Sequence, residues 1–220
     1  KVTDETPVKQ TGDEAQILAT LGIPFYIDKN RVRALKTLNK NHDCDVIISD
    51  DGLQHYNMNR DIEIVVIDGK RRFGNNLSFP AGPLRESLKR LDSVDFIVNN
   101  SGPTEDGEHL MNVSPAKFIH LKSGKSYSVE QWPMHKQVHA VAGLGNPGRF
   151  FDLLARLGFD ITRNPFPDHH NFISEDVHFL DHLPIIMTEK DASKCKDFDN
   201  NKIWYLTIEA EVSNKFIDEL

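Results

Sequence analysis

Apolar positions along the chain form short runs separated by helical spacings. Ile17, Leu18 and Leu21 follow Thr11-Gly12-Asp13-Glu14, which has the spacing of a capping box, and Gly22 closes the predicted helix. Phe25-Tyr26-Ile27 predicts a strand, and Val32, Leu35 and Leu38 mark the apolar face of a second helix. Val46-Ile47-Ile48 predicts a buried strand that delivers Ser49-Asp50-Asp51-Gly52 at its end. Further strands are predicted at 62–67, ending on Asp68-Gly69, and at Phe96-Ile97-Val98. A short helix is predicted at 86–91, behind the turn Pro80-Ala81-Gly82-Pro83. Helices alternating with apolar strands hidden on both faces predict a mostly parallel sheet.

From 117 to 132 the pattern loosens into short β-like segments around Gly124, which predicts a linker. A second α/β unit follows. It has strands at 138–142, 184–187 and 203–206, a weaker strand signal at 160–162, and a helix at 149–157. Phe150, Phe151, Leu154 and Leu157 share one face of that helix, and Gly158 stops it. The predicted organisation is therefore 1–116, a linker at 117–132, and 133–220.

Composition narrows the function. With 220 residues, the chain can form one large α/β domain or two smaller ones. Its 39% hydrophobic and 27% charged content is that of a globular protein. A net charge of −7 excludes broad nucleic-acid binding, which needs a cationic face. Lys70-Arg71-Arg72 is a local basic exception, placed either as a solvated turn or to meet a phosphate. Cys44 and Cys195 are isolated and point to a reducing, intracellular setting. No apolar run is long enough to span a bilayer, and no signal peptide is visible. The chain opens on Lys1, which leads us to expect part of a longer protein.

Chemistry concentrates in a few segments. Asp50 and Asp51, at the predicted C-terminal end of a strand, stand where α/β sheets bind ligands and where Mg²⁺ takes one or two carboxylates. The competing reading is a solvated acidic turn. Gly124-Lys125-Ser126 does not complete a Walker A loop, because Ile119 occupies its first glycine position. Gly143-Leu144-Gly145-Asn146-Pro147-Gly148 matches the dinucleotide fingerprint formally and keeps a dinucleotide-binding oxidoreductase in view. Pro147, however, removes an N–H that a pyrophosphate would need. A non-catalytic binding fragment is the third reading. Asp168-His169-His170, with His178 and His182 four residues apart, offers either a metal site or a His–carboxylate acid–base pair, the latter preferred. Asp13 reads equally as a helix-start acid, and Arg85-Glu86 as first-turn helix charges.

Together these segments resemble the tetraacyldisaccharide 4′-kinase (lipid A 4′-kinase) family. The resemblance rests on Thr11-Gly12-Asp13-Glu14, Asp50-Asp51-Gly52-Leu53-Gln54-His55-Tyr56, the run from Arg60-Asp61-Ile62-Glu63 to Asp68-Gly69, and Phe73-Gly74-Asn75. Pro80-Ala81-Gly82-Pro83-Leu84-Arg85-Glu86, Ala142-Gly143-Leu144-Gly145-Asn146-Pro147, Phe150-Phe151, Asp168-His169 and Met187-Thr188-Glu189-Lys190-Asp191-Ala192 complete it. The resemblance implies a P-loop NTPase-like α/β/α domain, incomplete here, joined by a short β linker to a smaller α/β/α domain.

It also implies transfer of the ATP γ-phosphoryl group to the 4′-hydroxyl of a lipid-linked glucosamine disaccharide 1-phosphate, at the cytoplasmic face of the bacterial inner membrane. The implied cofactors are ATP and Mg²⁺, and nucleic acid is not an expected partner. Asp13 and His169 become candidate catalytic residues, with Asp13 as base. Asp50 and Asp51 become candidate metal and cofactor ligands, and Gln54, His55, Arg85 and Glu86 candidate substrate contacts. The family's membrane-associating N-terminal segment and Walker A loop have no counterpart in these 220 residues, so activity of these residues alone is not expected.

Overall fold

A computed structural model of the chain describes all residues except Asp4, Glu5, Pro7, Val8, Lys9, Gln10 and Thr20, together with the side chains of Asp13 and Gln16. It is an α/β protein whose chain groups into two units. Unit 1 comprises Lys1–Ile48 and Pro115–Thr207, and unit 2 comprises Ser49–Ser114 and Ile208–Leu220.

Unit 1 is built on β5 (Gln137–Ala142), β6 (Asp160–Pro165), β7 (Ile185–Thr188) and the first half of β8 (Ile203–Val212). These lie parallel in the order β8-β7-β5-β6. Parallel strands must bury both faces, and alternate residues divide here between two cores. Val138, Ala140 and Ala142 of β5, with Ile186, Trp204 and Leu206, pack on Phe150, Phe151 and Leu154 of helix α3 (Pro147–Arg156). Val141, Ile185, Met187 and Ile203 face the other way, onto Phe172, Val177, Ala192 and Cys195. Pro147 sits at the start of α3, where its missing N–H costs nothing. Gly158 ends it with φ +83°.

The stretch 117–132 belongs to this core. The distal half of β3 (Glu108–His120) pairs antiparallel with β4 (Ser126–Ser128), and Phe118 and Trp132 pack edge to face with Phe159. Helix α1 (Asp13–Ala19) packs against the short helix α4 (Glu189–Ala192) and the 3₁₀ turn Ser193–Cys195. Residues 1–48 group with 115–207 in unit 1.

Helix α2 (Arg31–Asn41) forms as predicted, capped by Asn30. Two predicted strands do not form. Phe25 makes one isolated bridge to Val2, and 46–48 is irregular, with Val46 and Ile48 77% and 88% exposed. An apolar run becomes a strand only where a neighbouring strand takes its N–H and C=O groups; among the described residues 25–27 has only the Val2 bridge and 46–48 pairs with no strand.

Unit 2 contains β1 (Ile64–Asp68), β2 (Phe96–Asn100) and the first half of β3, parallel in that order. A 3₁₀ turn, Leu88–Ser93, stands where the sequence predicts a helix at 86–91. Phe216 of α5 (Asn214–Glu219) packs against Phe96 and His109. This core is thin: Ile67 and Val98 are buried, whereas Ile62, Ile64 and Val66 are exposed.

Candidate active site

In unit 2, Asp50 and Asp51 lie in an exposed turn. Asp51 adopts φ +48°, a left-handed conformation that Asp tolerates because its short side chain can bond locally. The Asp51 carboxylate accepts two bonds from Arg85 Nη1, at 3.1 and 3.2 Å. Both side chains are about two-thirds exposed (67% and 68%), so the pair contributes at most about 1 kcal/mol and opens easily for another ligand. Arg85 is presented by a pinned loop. Phe79 N–H donates to Leu84 O, Leu84 N–H donates to Leu77 O, and Asn75 Nδ2 donates to Ala81 O. Position 82 must be glycine, since a Cβ there would collide with Asn75 Oδ1 and the Leu77 carbonyl.

The turn itself is held from below. His55 N–H donates to Gly52 O at 3.0 Å, and Arg60 Nη1 donates to the carbonyls of both Gly52 and His55 at 3.1 Å. Glu63 grips Arg60 through one carboxylate oxygen (Nε–Oε1 2.6 Å) and Arg90 through the other (Nη2–Oε2 2.6 Å). The hydrogen bond from Arg90, aided by Arg60 and opposed by desolvation, holds the Glu63 carboxyl below its ordinary value. Tyr56 O–H donates to Glu86, which raises the phenol's pKa. Gln54 is exposed and His55 half-buried. The structure thus brings together Asp51 with Arg85, and Tyr56 with Glu86. Arg60, Glu63 and Arg90 carry the loop; the first two belong to a run that carries the family resemblance, and none was named as a site residue. The one signal available was a charged pair opening an apolar strand.

Of the basic run, Arg72 is occupied by Glu105 and Glu108, while Lys70 and Arg71 are exposed. Two acidic oxygens at 50 and 51 suit Mg²⁺, which prefers hard oxygen donors and keeps several waters. Among the described residues no group of three or more His, Cys, Asp or Glu is arranged to hold a metal. His178 follows the 3₁₀ turn Ser174–Val177, so it shares no helical face with His182.

In unit 1, Asp13 opens α1 with its side chain outside the described residues. His169 has φ +56° and a largely exposed ring whose Nε2 lies 3.9 Å from Asp168 Oδ2. That is too long for the tight acid–base pair anticipated with Asp168. Close histidine–carboxylate contacts among the described residues include His170 with Asp176 (2.8 Å) and His139 with Asp181 (2.9 Å), both packed on phenylalanines.

The 143–148 turn joins β5 to α3. Gly143 N–H donates to Asp191 Oδ2 at 2.9 Å, and Asp191 is fully buried, with Thr188 Oγ1 donating to the same oxygen at 2.8 Å. A Cβ at Gly143 would meet Pro167 O, Asp191 Oδ1 and His170 Cβ at 3.2–3.3 Å. The donor that a pyrophosphate would use is already bonded to the protein's own carboxylate, so the dinucleotide reading loses its support.

Over residues 1–220 the chain matches the family described as tetraacyldisaccharide-1-P 4′-kinase. It is 46% identical over 220 residues to the tetraacyldisaccharide 4′-kinase of Ruthia magnifica subsp. Calyptogena magnifica, covering 100% of this chain and 69% of the relative. It is 43% identical over 218 residues to that of Shewanella frigidimarina, covering 98% and 64%. The fold is similar to the crystal structure of the "apo" form of LpxK from Aquifex aeolicus in complex with ATP. The TM-score is 0.78 at 22% identity, over 98% of this chain and 69% of that one. The chain thus spans about two-thirds of the length of the curated relatives it matches.

Proposed function

The chain belongs to the tetraacyldisaccharide-1-P 4′-kinase family, and from that premise we propose that it forms part of an enzyme phosphorylating a lipid-linked glucosamine disaccharide 1-phosphate at its 4′-hydroxyl with ATP. The observation that carries the reading is the exposed Asp50-Asp51-Gly52 turn, with the Asp51 carboxylate under Arg85. Phosphoryl transfer depends on positioning and charge neutralisation more than on covalent catalysis. Asp50 and Asp51 would hold Mg²⁺, which supplies charge neutralisation at the transferring phosphoryl group. Arg85 exchanges its weak pair with Asp51 for phosphate oxygens, and Gln54, His55 and Glu86 line the substrate or phosphate side of the same loop.

In the transfer the bond from Pγ to the bridging oxygen breaks and the 4′-O–P bond forms. ADP leaves, and the hydroxyl proton passes to Asp13, with His169 tuning or relaying it. The lipid is met at the cytoplasmic face of the inner membrane, where the protein is peripheral. No helix among the described residues is long and apolar enough to cross a membrane.

The test is incubation of the full-length protein with γ-labelled ATP and a tetraacyl disaccharide 1-phosphate. Label appearing on the lipid, dependent on Mg²⁺, is the expected result. Absence of lipid label from folded protein would refute the reading.

A further inference from the structure

The candidate loop at 50–56 has no strand or helix of its own. Its internal hydrogen bonds are turn contacts, His55 N–H to Gly52 O and Met58 N–H to His55 O, each 3.0 Å. Such a segment would open readily, whereas ligand-holding carboxylates must be kept within about 0.5 Å of their working positions.

What fixes it lies outside the motif. Arg60 is 17% exposed and directs one guanidinium nitrogen at two carbonyls of the turn, Gly52 O and His55 O. Its remaining donors meet Glu63 Oε1. Glu63, 13% exposed, is itself fixed to the start of β2. Its N–H donates to Asp95 Oδ2 at 2.8 Å, and its carbonyl accepts from Asp95 and Phe96 N–H at 3.0 and 3.1 Å. The second Glu63 oxygen holds Arg90, whose Nε lies 3.5 Å from Glu86 Oε2, and Glu86 receives the Tyr56 hydroxyl. One carboxylate on a sheet-anchored backbone therefore restrains the loop directly at 52–55 through Arg60, and more loosely at 56 through the Arg90–Glu86 ion pair.

We propose that Arg60, clamped by Glu63, is a positioning residue that holds the Asp50-Asp51-Gly52 turn in its ligand-binding shape. The role demands arginine. A planar fork satisfies two carbonyls and a carboxylate together, whereas a lysine ammonium on a flexible stem does not reproduce that geometry. Arg60 touches neither phosphate nor metal in this role; it acts through the backbone that carries Asp50 and Asp51. The inference rests on the kinase reading only for its effect on turnover. The restraint on the loop is a property of the chain by itself.

The experiment has two arms. In the full-length protein, without nucleotide or Mg²⁺, hydrogen exchange is followed in peptides covering 50–58 and in β2 for Arg60→Lys and Glu63→Gln. The expected result is exchange at 50–58 faster by about tenfold or more, with any rise in β2 clearly smaller. Unchanged exchange at 50–58 in either folded variant, or an equal rise across β2, would overturn the proposal. In the full-length protein Arg60→Lys should lower kcat by about 10–100-fold and raise the half-saturating Mg²⁺ concentration, as outer positioning groups at metal sites do. Added to Asp51→Asn, it should have little further effect. Additive losses with unaltered Mg²⁺ dependence would overturn it. If wild-type protein transfers no phosphate while the exchange arm succeeds, the kinase reading fails and the loop restraint stands.

Discussion

Two turns in this molecule look alike in sequence and differ in how their polar groups are held. Each carries glycine beside polar side chains, and each resembles a phosphate-handling motif. At 143–148 the protein answers its own donor: the Gly143 N–H meets the buried Asp191 carboxylate, and the turn is closed off as scaffold. At 50–52 both aspartates are exposed, and the Asp51 carboxylate meets an exposed arginine that is easily displaced. A motif becomes a site where its polar groups are positioned but not internally consumed. The energetic difference is large, because a buried carboxylate holding two hydrogen bonds is costly to disturb, while an exposed ion pair contributes about 1 kcal/mol or less.

The largest expected effect tests whether unit 1 is scaffold throughout. If Asp13 and His169 handle the proton together, each alanine variant of the full-length protein should lose about 10²- to 10⁴-fold in kcat. The double variant should be little worse than the poorer single. Additive losses, or a change confined to KM, would return both to independent roles and leave all the chemistry with unit 2.

Next in size is Asp191→Asn. It replaces the acceptor for Gly143 N–H and Thr188 Oγ1 at a fully buried position, and should cost roughly 2 kcal/mol by urea denaturation. A loss near zero would mean that the 143–148 turn is held by something else and is freer than the contrast requires.

Glu63→Gln sharpens the other side. Arg90 first, then Arg60, holds the Glu63 carboxyl below its ordinary value of 4.5. A depressed acid stabilises the fold above its unfolded value, and the gain disappears as pH falls through the folded value. The stability gap between wild type and Glu63→Gln should therefore be constant, at about 1–3 kcal/mol, from pH 6 to 8 and shrink in acid. A gap independent of pH down to the acid transition would show that Glu63 does not act through its charge.

The smallest effect is Gly148→Ala. Position 148 lies in the first turn of α3, and a Cβ there comes no closer than 3.4 Å to Asn146 Oδ1. It should gain about 0.4–1 kcal/mol from the stiffer unfolded chain. A sharp loss would mean that the glycine serves close approach, as a dinucleotide fingerprint requires.

The elements of unit 1 were legible because their apolar runs are buried on both faces, as at 138–142, 185–187 and 203–206. The stretch 117–132 was not. Phe118 lies in a hairpin among Lys, Ser and Gly and Trp132 follows that hairpin, so their burial shows only once Phe159 arrives from 27 residues beyond Trp132. Val46-Ile47-Ile48 misled for the opposite reason: composition favours a strand, but pairing requires a neighbour. At the site, residues at a turn were readable because their chemistry is local. Arg60, Glu63 and Arg90 were not, since Glu63 and Arg90 are 27 positions apart and nothing in either segment marks the other. His169 was readable as a candidate, while its 3.9 Å separation from Asp168 was not.

The contrast between the two turns is tested most directly by phosphoryl transfer from ATP to the lipid disaccharide in the full-length protein, comparing Asp51→Asn with Gly148→Ala. Rates should be scaled to the folded fraction measured by circular dichroism. Asp51→Asn should fall by about 10²- to 10³-fold, the size of loss when one charge-stabilising group is removed from a preorganised site. Gly148→Ala should stay within about twofold of wild type, because its effect acts on the unfolded chain. Near-normal transfer by Asp51→Asn together with loss in Gly148→Ala would contradict the assignment of chemistry to the first turn and scaffold to the second.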